Sequence, residues 1–270
     1  MIPGQGSRQR ERTASPTGSA SHSVQGAAQT WVAGVDGCRA GWLAVVRPLA
    51  TPVGARVHLM PTFADVLNLA ERPQVIAIDM PIGLPEVAMV GGRHADIAAR
   101  AHLGARRSAV FAVPARPAVL ETDYRAACAV ALATSEPPRG ISKQTFNLFP
   151  KMREVDALMT PALQERVVEC HPEVAFWALN GEQPLGEPKK TRSQPHPAGL
   201  ALRRFLLAQA GYSLAFLQAT GFKAAEAGSD DFLDACACSW SAARIASGRG
   251  VRFPAEPPVD SRGLKMEIWV

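Results

Sequence analysis

The 270-residue chain is 47% hydrophobic and 20% charged, enough apolar material for a substantial core, so a wholly disordered chain is excluded. Its 22 glycines and 22 prolines fit neither a collagen-like repeat nor a low-complexity chain, and no apolar run approaches the roughly 20 residues of a membrane span. The net charge of +5 permits a nucleic-acid partner without demanding one.

Residues 1–30 are rich in Ser, Gly, Gln, Thr and Ala, show no hydrophobic periodicity, and are expected to form a disordered tail outside the fold. From Trp31 the pattern changes. Trp31–Asp36 and Trp42–Val46 read as two strands of a hairpin, with a third strand near Arg56–Met60. Thr62 can cap a helix whose apolar positions are Phe63, Val66, Leu67 and Leu69. Val75–Asp79 is short and β-branched, as a buried parallel strand would be. An insert of about 84–165 follows, with helical stretches at Asp96–Leu103 and Tyr124–Thr134 and irregular, basic segments between. A strand at Arg166–Cys170 comes next, then helices at Gly199–Ala210 and Asp231–Ala246, the last with Ser229 as a candidate N-cap. This order predicts one α/β domain over 31–270, a mixed sheet with helices on its faces.

The five cysteines lack the paired spacing of a zinc site and are odd in number, consistent with reduced thiols and a cytoplasmic protein without a membrane anchor. No phosphate-loop or dinucleotide glycine pattern occurs, and serine-triad evidence is absent.

Charge is unevenly spread. Arg93–Arg153 holds ten Lys/Arg against four acids, a surplus larger than that of the whole chain. Arg106 and Arg107 foremost, with Lys143, Lys189 and Lys190, could offer cations to phosphates, although a solvated basic face would look the same.

Three acids occupy awkward places: Asp36 and Asp79 at the ends of apolar strands, and Glu169 inside Val-Val-Glu-Cys. Removing a carboxylate from water is costly unless a cation or hydrogen bonds compensate, so a shared metal is one reading and a turn-starting Asp the other. Asp230, Asp231 and Asp234 lead the last helix. The first two suit its positive dipole end, whereas Asp234, followed by small residues, should be buried. Carboxylates from several elements would hold Mg²⁺ or Mn²⁺ in preference to zinc and serve phosphodiester hydrolysis. Glu169, His171 and Glu173 would share one side if their strand continued past Pro172; the proline equally marks a strand end.

Seven ordered blocks carry a resemblance: Gly34-Val-Asp-Gly-Cys-Arg-Ala-Gly-Trp42, Ile78-Asp-Met-Pro-Ile-Gly-Leu-Pro85, Asp96-x-x-Ala-Arg100, Leu103-Gly-x-Arg-x-Ser-x-Val-Phe111, Lys151-x-x-Glu-Val-Asp156, Glu169-x-His-Pro-Glu173 and Asp230-Asp-x-Leu-Asp-Ala235. From about Val32 to Val270 the chain resembles the DUF429 family, described as predicted ribonuclease H-like nucleases. Ala95 departs from the Cys that many members have there. The resemblance implies a ribonuclease H-like fold whose acids come from the first strand, the fourth strand and a late helix. Asp36, Asp79 and the Asp231/Asp234 pair fall on those elements, and the last helix is similar to that of RuvC-type resolvases.

The expected function is therefore metal-dependent phosphodiester hydrolysis of DNA or RNA. Asp36, Asp79, Asp231, Asp234 and Glu169 are the expected catalytic acids, with Asp36, Asp79 and Asp231 or Asp234 holding the metal and Glu169 supporting them or serving as an alternate ligand. Arg39, Arg100, Arg106, Arg107, Lys143, Lys151, His171, Lys189 and Lys190 are the expected substrate contacts. A non-catalytic binding protein, or a hydrolase or phosphotransferase of small phosphorylated metabolites, is the alternative.

Overall fold

The structure is a computed structural model and describes Met1 and residues 29–191, 194–218 and 221–270. Nearly all of the expected tail thus lies outside the described residues. The chain forms β1 (Trp31–Cys38), β2 (Gly41–Pro48), β3 (Arg56–Met60), α1 (Phe63–Leu67) and β4 (Val75–Ile78). The insert carries β5 (Ala88–Met89) paired with β6 (Ser135–Glu136), a 3-10 helix at Gly104–Ala109, and helices α2 (His94–Ala101), α3 (Arg116–Leu120), α4 (Tyr124–Ala133), α5 (Lys143–Phe146), α6 (Phe149–Leu158) and α7 (Pro161–Gln164). Beyond it come β7 (Val167–Glu169), α8 (Pro172–Leu179), β8 (Lys190–Thr191), β9 (Gln194–Pro195), α9 (Pro197–Gln209), α10 (Leu214–Gln218), α11 (Ser229–Ala246), β10 (Arg252–Phe253) and β11 (Ile268–Trp269).

The main sheet is mixed, in the order β3-β2-β1-β4-β7. Its first three strands are antiparallel, and β1, β4 and β7 run parallel. Because side chains alternate across a strand, the sheet has two apolar faces. Val32, Val75, Ala77 and Val168 pack with Val174 of α8, Leu207 of α9 and Phe232 of α11. Ala33, Val35, Ile76, Ile78 and Val167 pack with Phe63 of α1 and with Phe149 and Met152 of α6. Full burial of the Val, Leu, Ile, Phe and Met side chains among these stabilises the fold by about 1.5–3 kcal/mol each.

Helix α11 lies directly on β1. A Cβ on Gly34 would stand 1.9 Å from the Ser239 nitrogen and 2.2 Å from the Ala235 carbonyl, so only glycine admits this approach, opposite the run of small residues in α11. On the opposite face the wholly buried Trp42 donates from Nε1 to Glu154 Oε2 at 3.0 Å, satisfying its one polar atom.

Two local expectations are corrected. The strand ends at Glu169: Pro172 opens α8, where its missing N–H is harmless, and His171 is the N-cap, accepting at Nδ1 from Glu173 N at 3.2 Å. Helix α11 is capped at Gly228, whose N–H donates to Asp231 Oδ2 at 2.8 Å, so Ser229 is its first residue. Among the described residues no helix is long and apolar enough to cross a membrane.

Candidate metal centre

Strands β1 and β4 are in register at Val35 and Ile78, and Asp79 N donates to Val35 O at 2.8 Å. One residue further, Asp36 and Asp79 come side by side on the face that carries α11. The close seating of α11 on Gly34 brings Asp234 up to both. One carboxylate oxygen from each of Asp36, Asp79 and Asp234 lies within 4.8 Å of the others.

Three carboxylates so close, with Asp234 fully buried, cannot all hold their charge at ordinary cost. Burial, reinforced by Asp79 and Asp234, pushes Asp36 well above the usual carboxylate range. Burial pushes Asp79 up to about 6 and Asp234 up to about 7, although the Lys189 ammonium pulls both down. Lys189 is ion-paired with Asp234, and Lys190 with Asp230 at 2.6 Å. Asp234 Oδ1 is buried with no hydrogen-bond partner among the described residues. An unpartnered buried oxygen within a set of hard oxygen donors fits a divalent cation such as Mg²⁺ or Mn²⁺.

A cavity of about 500 Å³ opens over Asp36 and Asp79. Of the expected substrate contacts, Arg106, Lys151, His171, Lys189 and Lys190 line it. Lys151 lies 4.5 Å over the Trp42 ring and donates to the Gly41 carbonyl, and its stem passes Gly37, where a Cβ would stand 2.7 Å from Lys151 Cδ. Burial lowers the pKa of Lys151 and that of His171.

Other expected contacts are placed elsewhere. Arg39 is exposed and donates to Ala224 O at 3.0 Å. Arg100 is spent on the carbonyls of Val110, at 2.9 Å, and Gly91. Arg107 is exposed outside the cavity lining, and the exposed Lys143 lies 5.3 Å over the Tyr124 ring. Asp231 serves as the cap of α11 and is not one of the three clustered acids.

Glu169 is the instructive case. It pairs with Ile78, not Asp79, so its side chain points to the other face of the sheet. There it accepts from Ile82 N at 2.7 Å and from Arg93 at 2.6 and 2.8 Å, while Arg93 also grips Asp96 at 2.8 Å. It reaches the cavity wall as half of a closed ion pair.

Glu173 was missed by the sequence reading as a site residue. As the second residue of α8 it is buried, lines the cavity, and has Oε2 without a hydrogen bond, while the fully buried Arg203 of α9 is ion-paired with Oε1. The available signal was its place one residue after a helix-starting proline, which fixes its direction independently of β7.

No curated protein and no solved structure matches the chain. The residues that build this centre, from Gly34 and Asp36 through Glu173 to Asp234, all fall inside residues 34–259, the stretch matched by the model of the family described as protein of unknown function DUF429, and the chain belongs to that family.

Proposed function

We propose that the chain is a metal-dependent phosphodiesterase with a ribonuclease H-like core, acting on nucleic acid. The observation that carries this reading is the convergence of Asp36, Asp79 and Asp234, from the first strand, the fourth strand and the last long helix, within 4.8 Å. The strand order β3-β2-β1-β4-β7, antiparallel on one side of β1 and parallel on the other, supports it.

Asp36, Asp79 and Asp234 would hold Mg²⁺ or Mn²⁺, which when bound stabilises charge on a phosphoryl oxygen and makes water a better nucleophile. The chain supplies the rest. Lys151 and Arg106 put positive charge on the cavity wall, where a phosphodiester would dock. Met80, Phe111 and Leu148 line the same cavity with apolar surface, which excludes water and strengthens those electrostatic contacts. Lys189 neutralises part of the acid cluster when no other cation is present.

Mg²⁺- or Mn²⁺-dependent cleavage of structured DNA and RNA tests the reading. Wild type is expected to cleave, and Asp36→Asn to fall to background. Equal activity in the two proteins overturns the assignment, and turnover of mononucleotides or simple phosphate esters alone would redirect it to small metabolites.

A further inference from the structure

We infer that Arg106 and Glu173 form a hydroxyl-binding subsite beside the three acids, so that the substrate presents a sugar hydroxyl next to its phosphate. This rests on the phosphodiester reading of the same cavity.

Glu173 is held from behind. Arg203 is ion-paired with Oε1 and also donates to Gly199 O at 3.0 Å and Glu187 O at 3.1 Å, fixing the carboxylate's orientation. The other oxygen, Oε2, has no hydrogen bond among the described residues. The cation facing it is Arg106, whose Nε stands 3.8 Å away, too far to bond, and that Nε is likewise unpartnered. Both residues line the cavity above Asp36 and Asp79, and the charge of Glu173 is felt by Asp79 and Asp234.

An ionised carboxylate only accepts hydrogen bonds and a guanidinium only donates them. A group that satisfies both must donate to Glu173 Oε2 and accept from Arg106 Nε through one small atom. A phosphate oxygen is repelled by Glu173 and an ammonium by Arg106, whereas a hydroxyl does both. Next to a phosphodiester, that hydroxyl is either a ribose 2′-hydroxyl or the free 3′-hydroxyl of a strand end. Arg106 Nε and Glu173 Oε2 are themselves buried, so the group enters as Arg106, on the 3-10 helix with its side chain 23% exposed, swings aside.

Fluorescence anisotropy of 5′-labelled trinucleotides on the wild-type protein in Ca²⁺ tests this with three probes. These are a ribo-oligomer, a 2′-deoxy oligomer with a free 3′-hydroxyl, and a 2′-deoxy oligomer ending in a dideoxynucleotide. At least one hydroxyl-bearing probe should bind about tenfold more tightly than the dideoxy probe, as hydrogen bonds to charged groups provide. A gain confined to the ribo-oligomer assigns the 2′-hydroxyl, and an equal gain for both hydroxyl-bearing probes assigns the 3′ end. Glu173→Gln and Arg106→Gln should each erase the preference. Arg106→Gln decides the matter if loss of the charge facing Arg203 unfolds the Glu173 variant.

Equal binding of all three probes by wild type, or an undiminished preference in Arg106→Gln, overturns the subsite. Preferential binding without Mg²⁺-dependent cleavage sinks the nuclease reading alone, cleavage without preference sinks the subsite alone, and no binding of any probe sinks both.

Discussion

Asp36 in β1 and Glu169 at the end of β7 are both carboxylic acids of the same sheet, and one step of register separates their fates. Asp36 shares its face with α11 and the other two clustered acids, while Glu169 faces Arg93, 2.6 Å away. The sequence shows an acid among apolar residues in both cases. It does not show which face a three-residue strand presents, because a shift of one residue exchanges the faces. Arg93 is 1% exposed in its side chain and depends on Glu169 and Asp96 for its charge balance. Glu169→Gln removes one of those partners and is expected to lower stability by about 3 kcal/mol, as breaking a buried ion pair does. The acids at the candidate metal centre keep their own contacts, so Mn²⁺ affinity should stay within about threefold of wild type. Urea denaturation and calorimetric titration of the same sample check both parts; a collapse of Mn²⁺ binding at unchanged stability would return Glu169 to the metal centre.

At the level of elements, the seating of α11 on β1 decides whether the acids meet. Asp36 rides on the strand and Asp234 on the helix, and Gly34 sets the distance between them. Gly34→Ala would place a methyl group 1.9 Å from the Ser239 nitrogen, which only a shift of the helix backbone can relieve. The expected cost is about 3 kcal/mol of stability. A fall in Mn²⁺ affinity should accompany it, because Asp234 moves with the helix. Gly140→Ala is the control: a Cβ there meets nothing within 4 Å, and stability should change by less than about 0.5 kcal/mol. Wild-type Mn²⁺ affinity in Gly34→Ala would dissociate the helix contact from the site. The two elements that matter most here were legible in advance. β1 announced itself as an apolar run ending in Asp, and α11 as an acid-led helix of small residues. α8 and α6 were not legible: Val-Ala-Phe-Trp-Ala-Leu in α8 is apolar all round and has no period, and the prolines at 150 and 172, which look like breakers, stand in the first turns where helices tolerate them.

Over the whole molecule, the basic surplus of the insert divides between the fold, the cavity and the exposed surface. Arg93, Arg100, Arg116 and Arg153 are committed to internal carboxylates and carbonyls, Arg106 and Lys151 stand at the cavity, and Arg107, Arg125, Arg139 and Lys143 are exposed, while Lys189 and Lys190 reach the acids from outside the insert. Composition reveals the surplus and not this division, because pairing depends on which loops meet. The acids met by Lys189 are a separate cluster whose carboxyls burial pushes up toward neutrality, and this makes stability depend on pH and on cations together. Burial pushes the Asp79 and Asp234 carboxyls up to about 6 and about 7, above the ordinary value of 3.8. A carboxyl whose pKa rises on folding binds its proton more tightly in the native state, so its contribution is fully present at low pH and is lost as pH rises through the folded value. Lys189, held charged by the acids, remains an ammonium throughout that range. In EDTA these groups should therefore lower the Tm as pH is raised from about 5 to 8. Mn²⁺ competes with protons for the same oxygens, so it should add little near pH 5 and raise the Tm increasingly toward pH 8. Thermal unfolding at three pH values with and without Mn²⁺ checks the pattern. Asp234→Asn, which cannot ionise, should flatten the EDTA profile and weaken the Mn²⁺ response; an unchanged profile in that variant would place the proton-linked groups outside the acid cluster.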